Sequence, residues 1–298
     1  MRLAAALLAM LALALAGCGD DDDGGGSGGD AEALLKRGFA TDVDSGNARF
    51  AMELEVRGVA GFEEPLRLEL EGPFRSAPSP TDMPDLDMDF EASGGGQSYT
   101  GHVIITRENG WVEYRGETYE VGEELWAQLI ESLRQSQSGK PNTFKEARVD
   151  PLDWIDDAET AGEEQMGGTT ATKVTGKLDM EALLRDSNRI STQRLPESTV
   201  RDINDYVDDV DFEAWIGDDD IWRRLNAETE FEVPEEERDS LGGLEGGRFS
   251  LDIELTDPNE PVEIEGPAEA RPIDELLLEL GIPPEALLGP GFAQPAPG

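Results

Sequence analysis

Arg49-Phe50-Ala51-Met52-Glu53-Leu54-Glu55-Val56-Arg57 puts a large apolar side chain at 50, 52, 54 and 56 and a charged one at 49, 53, 55 and 57. Successive side chains of a strand point to opposite faces, so this period of two reads as a strand with one buried face and one wet face. The pattern recurs. Leu66, Leu68 and Leu70 alternate with Arg67, Glu69 and Glu71, and Leu86, Met88 and Phe90 alternate with Asp85, Asp87, Asp89 and Glu91. Phe249, Leu251, Ile253 and Leu255 alternate with Arg248, Ser250, Asp252 and Glu254. Further strands are expected at 99–106 and 111–115 across the turn at 108–110, and at 118–121, 169–178, 212–216 and 221–233. A closing strand is expected at Val262–Ile264. The total is roughly eleven strands joined mostly by short turns.

Helices interrupt this series. Leu34, Leu35 and Phe39 share a face in a short opening helix over 31–39. Leu125, Trp126, Leu129, Ile130 and Leu133 form the longest apolar helical stripe, over 123–134. Pro151–Ala158 reads as a short helical turn, and Asp179 as the N-cap of a helix over 180–185. Pro196 starts another helix, through Val200, Ile203 and Val207, and 273–280 is an amphipathic helix ended by Gly281. The fold class is therefore α+β: one large curved antiparallel sheet with inserted helices on one face.

The amino terminus carries a second signal. Arg2 precedes an unbroken Leu/Ala/Met run from Leu3 to Ala16, too short for a mature transmembrane helix and suited to a signal peptide. It ends in Leu15-Ala16-Gly17-Cys18, which resembles the lipobox of bacterial lipoproteins. The resemblance implies cleavage before Cys18 and a lipid on its thiol; the other reading is an ordinary secretory signal with a chance cysteine. Cys18 is the only cysteine in the chain, so no disulfide can form within it. The expected organisation is a signal peptide at 1–17 and a lipidated cysteine with an acidic Gly-rich tether at 18–30. A single domain follows at 31–267, then a short helix and a Pro/Gly-rich tail at 268–298. The composition of the tether gives a root-mean-square reach of about 20 Å. Localisation follows: lipid-anchored on the extracytoplasmic side of the cell membrane.

The formal charge of −42, from 66 acidic and 24 basic residues, argues against nucleic acid as a partner and against electrostatic docking on anionic lipid. Catalytic constellations are scarce. The single histidine, His102, sits in a strand pattern, and no zinc site or phosphate-binding loop with a lysine is present. Asp42, Asp44 and Glu53 match three positions of a calcium loop, but Gly46 and Asn47 occupy its fifth and sixth. No metal, cofactor or enzymatic activity is expected. The acidic rows Glu53/Glu55, Asp85/Asp87/Asp89 and Asp252/Glu254 read as the solvent face of the sheet.

Four further segments carry a family resemblance: Asp150-Pro151-Leu152; Val174-Thr175-Gly176-Lys177-Leu178-Asp179; Phe212-Glu213-Ala214-Trp215-Ile216 through Ile221-Trp222-Arg223-Arg224; and Val262-Glu263-Ile264 with Gly266-Pro267. With the lipobox and tether, their order over 31–267 resembles the LppX/LprG-type lipoproteins of actinobacteria and, more distantly, LolA-like carriers. The chain departs from them in its acidity and its tail. The resemblance implies an incomplete barrel with helices over its open side and an apolar cavity for acyl chains. The candidate cavity residues are Met52, Leu54, Val56, Leu66, Leu68, Leu70, Leu86, Met88, Phe90, Leu251 and Ile253 on the sheet. Leu125, Trp126, Leu129, Ile130 and Leu133 on the helix would form its lid. The expected function is a membrane-anchored, non-enzymatic protein that binds, carries or presents an acylated lipid or glycolipid. The alternative is a surface interaction module with a filled core, docking an envelope protein or cell-wall component.

Overall fold

The structure, a computed structural model, describes residues 29–78, 82–137, 148–190, 205–207, 210–239 and 241–282. Cys18 and the expected tether as far as 28, the helix expected from Pro196 except 205–207, and the tail beyond 282 lie outside the described residues, whereas Gly29 and Asp30, expected in the tether, are helical.

The alternating segments form one twelve-stranded sheet. The first six strands are β1 (Ser45–Arg57), β2 (Leu66–Arg75), β3 (Asp85–Gly94), β4 (Gln97–Ile105), β5 (Gly110–Tyr114) and β6 (Glu117–Glu120). They make an antiparallel meander. A second meander contains β7 (Ile155–Met166), β8 (Thr169–Leu178), β9 (Asp211–Gly217), β10 (Trp222–Glu232) and β11 (Gly246–Thr256). The two join where β1 pairs with β11, Phe50 opposite Ile253 and Met52 opposite Leu251. A two-residue strand, β12 (Arg271–Pro272), runs parallel to β6. The spatial order is β12-β6-β5-β4-β3-β2-β1-β11-β10-β9-β8-β7, so the sheet is open, with β12 and β7 at its edges.

Several segments differ from the sequence expectation. β7 carries Asp156, Asp157, Glu159, Glu163 and Glu164 with register breaks after Asp156 and Thr160, so it lacks the alternation that marks a strand. Charges and bulges are how an edge strand resists pairing with another chain. Only Pro151–Trp154 of the expected helical turn at 151–158 is helical, as a 3-10 turn whose N-cap Asp150 accepts from the Leu152 amide at 3.0 Å. Val262–Ile264, expected to close the sheet, is not a strand. It belongs to a strap across the charged face, with Ile264 buried and Gly266 seated on the Trp111 ring.

Helix α1 (Gly29–Ala40) crosses the apolar face over β7 and β9. Ala31 and Leu35 sink among Phe74, Val174, Phe212, Ala214, Ile216, Trp222 and Leu255, which form the main core. Gly38 permits the close approach, because a Cβ there would stand 2.8 Å from Ile216 Cδ1. Helix α2 (Glu123–Gln137) follows β6. Helix α3 (Met180–Ile190) is capped by Asp179, whose Oδ1 accepts from the Ala182 amide at 2.9 Å. Helix α4 (Glu235–Arg238) lies in the β10–β11 connection. Helix α5 (Ile273–Leu280) ends at Gly281 in the left-handed region, φ 68°. Ile273, Leu276 and Leu277 of α5 pack on Tyr119 of β6 as a second, smaller core.

Candidate functional site: an apolar slot between two helices

Register puts the expected cavity residues of the sheet on one face. Leu251, Met52, Leu68, Ala92 and Tyr99 lie opposite one another across β11, β1, β2, β3 and β4. Ile253, Phe50, Leu70 and Phe90 make the next row, and Phe249, Leu54 and Leu66 the row on the other side. Leu251 continues to Ala227 on β10. The middle row thus crosses six strands, a span of about 24 Å at about 4.8 Å per strand. One leaflet's share of a bilayer's hydrocarbon is about 15 Å.

The opposite face is charged, as the alternation requires. Arg49 Nε meets Glu69 at 2.7 Å, with Glu71 at 3.9 Å and Asp252 near its Nη1 at 4.0 Å. The hydrogen bond to Glu69 and the surrounding carboxylates hold the Arg49 guanidinium above its ordinary pKa. Arg224 meets Asp252 at 2.7 Å, and Arg67 meets Glu53 at 2.6 Å. His102 belongs to this face, with Nε2 2.8 Å from Asp87 and Nδ1 2.8 Å from Asp89. Two cavities lie here under the 262–267 strap. The smaller, about 140 Å³, is lined by His102, Ile104, Trp111, Glu113, Thr118 and Pro267; the larger, about 630 Å³, has Arg75, Asp85, Arg107 and Ile264 on its walls.

On the apolar face the cover is uneven. Hairpin turns alternate between two ends of the sheet. One end, called proximal here, carries the connections at 58–65, 95–96 and 233–245; the other, distal, carries those at 106–109, 167–168 and 218–221. The main core under α1 takes in Phe74, Leu86, Met88, Leu255 and Ile253. The core under α5 takes in Val112 and Tyr119. Between them, Met52, Val56, Leu66, Leu68, Leu70, Phe90 and Leu251 are only half-buried and belong to neither core. Among the described residues this gap is a slot on the proximal side of the main core, with α1 on one flank and α5 on the other. Leu54, at 6% exposure, is its deepest aliphatic floor residue.

The structure therefore divides the expected set. Leu86, Met88 and Ile253 pack against the main core. Of the helical stripe, Trp126 is buried at the distal end, its ring on Gly110 and its Nε1 donating to the Arg107 carbonyl at 3.2 Å. Leu125 packs against the α5 core, Leu129 and Ile130 are half-buried, and the Leu133 side chain lies outside the described residues. Phe50, Phe249, Ala92, Phe231 and Val103 also face this side and are not among the expected cavity residues. Phe249 and Phe50 could have been, because each continues an alternation already read.

No protein-family model and no curated protein matches the sequence. Several solved structures align with most of the chain at low identity. Lipoprotein LppX from Mycobacterium tuberculosis aligns at a TM-score of 0.40 and 13% identity, over 79% of this chain and 98% of its own. LprF from Mycobacterium bovis aligns at 0.40 and 12%, over 80% and 98%. A LolA superfamily protein from Nitrosomonas europaea aligns at 0.23 and 9%, over 78% and 94%.

Proposed function

We propose that this protein is anchored to the extracytoplasmic side of a membrane through lipid on Cys18 and carries or presents an acylated lipid in the slot, without catalysing a reaction. The observation that supports this most is the half-buried apolar row Leu251–Met52–Leu68–Ala92, flanked by two helices and packed under neither. A contiguous apolar surface left open to water is costly, and such surfaces mark binding sites. Burying a methylene is worth about 0.8 kcal/mol, so an acyl chain of about 16 carbons gains roughly 13 kcal/mol on leaving water. A bilayer offers nearly the same. A slot of this kind can exchange lipid with a membrane near balance and needs no fuel.

Native mass spectrometry of the chain carrying Cys18→Ser tests the reading, since any lipid then seen is bound rather than attached. A mass increment that disappears on delipidation and returns after exposure to vesicles is expected. No increment under either condition would overturn it and leave the slot as a docking surface for another protein. In cells, Cys18→Ala should abolish membrane retention; undiminished retention would remove the anchor.

A further inference from the structure

The path of α1 fixes which end of the sheet is nearer the anchor. Its last turn is distal: Arg37 Nε donates to Asp220 in the β9–β10 turn at 2.9 Å, and Gly38 rests on Ile216, next to the end of β9. It also packs on β7 and on the 3-10 turn that leads into β7, which is proximal. α1 therefore runs from the proximal end to the distal end, and Gly29 stands at the proximal end. Eleven residues separate Gly29 from the start of Cys18. At full extension they span no more than about 40 Å, and the root-mean-square reach expected of such a composition is about 20 Å. The thirteen residues of β1 extend about 43 Å from end to end.

Among the described residues, the apolar rows that belong to neither core lie toward the same end. The mouth of the slot is bordered by two connections that touch, Gly58 lying against the Gly243 carbonyl, and by the β3–β4 turn, where Gly95 faces the Gly61 carbonyl. These connections carry half-buried Val59, Phe62, Leu241 and Leu244 beside exposed Glu63, Glu64, Glu235 and Glu236. The geometry points to a docking surface for the bilayer at the proximal end: the tether holds the mouth of the slot toward the membrane that carries the anchor, and lipid passes between bilayer and slot through that mouth. This rests on the lipid-anchored carrier reading above. The bordering carboxylates repel an anionic headgroup layer, so proximity comes from the tether and contact from the apolar turn residues.

The test uses the full, Cys18-lipidated chain in phosphatidylcholine vesicles doped with a headgroup-nitroxide lipid. A fluorophore is placed through Glu64→Cys at the proximal end or Asp218→Cys at the distal end, both exposed turn positions. Quenching should be several-fold stronger at 64. Equal quenching, or stronger quenching at 218, overturns the orientation. Lipid occupancy of the same two proteins, read by native mass spectrometry, separates the readings. An occupied slot with quenching favoured at 218 sinks the orientation alone, whereas an empty slot with quenching favoured at 64 sinks the carrier and keeps the orientation.

Discussion

Phe74 and Leu68 lie on the same face of the same strand, six residues apart, and meet different surroundings. Phe74 is 2% exposed and belongs to the main core with α1. Leu68 is half-buried in the slot, between Met52 and Ala92, with no helix packed on it among the described residues. Both satisfy the alternation rule equally. A strand's period states which side is apolar; it does not state what covers that side. Cover comes from α1 and α5, which reach across the face from opposite flanks, and the uncovered remainder is where a ligand can stand in for core.

Three substitutions sharpen that contrast. Phe74→Ala should cost about 3–5 kcal/mol, because packed neighbours close only partly over the cavity; a shift in the urea midpoint measures it. Leu68→Ala in the lipid-free protein should cost about 1 kcal/mol, since much of the side chain already meets water. A loss as large as that at Phe74 would mean that the slot is core. With lipid bound, the same Leu68→Ala should lower occupancy more than stability, which native mass spectrometry and the urea midpoint together resolve. Arg67→Gln on the charged face should change stability least, by about 0.2–1 kcal/mol, because Arg67 and Glu53 are both well exposed. Salt should weaken even that difference, and a loss insensitive to salt would point to a packing role for the Arg67 stem.

Much of the sheet was legible, and the errors have physical causes. Ten of the expected strands appear, because a face half in water and half in core writes its period into the residues. β7 was invisible because an edge strand exposed to solvent has little to alternate. Val262-Glu263-Ile264 mimicked a strand, yet Ile264 is buried against the charged side by a strap rather than by a ladder. β12 is two residues long and owes its place to the neighbouring β6. The sequence put the candidate cavity residues of the sheet on one face, as the register does, and gave the covering role to the 123–134 stripe. That stripe is the longest, but length does not position a helix. The burial of Trp126 and the packing of Leu125 tie its start to the distal ends of β5 and β6, while the shorter α1, through Ala31, Leu35 and Gly38, does the covering of the main core.

The junction of β1 with β11 has a consequence for how the chain comes into being. Asn47 faces Thr256 in the middle of the sheet, so the strand made first must wait for the long strand made last. Until then β1 holds β2 on one side and offers a bare row of amides and carbonyls on the other. Such distant pairings are slow to form, and a bare apolar strand is a template for stray association in the interval. A ribosome that stalls, or a protease that trims the chain before residue 246, would leave two meanders with no seam between them. Biogenesis is thus close to all-or-none for this protein: the half-made sheet has no intermediate in which its centre is sealed.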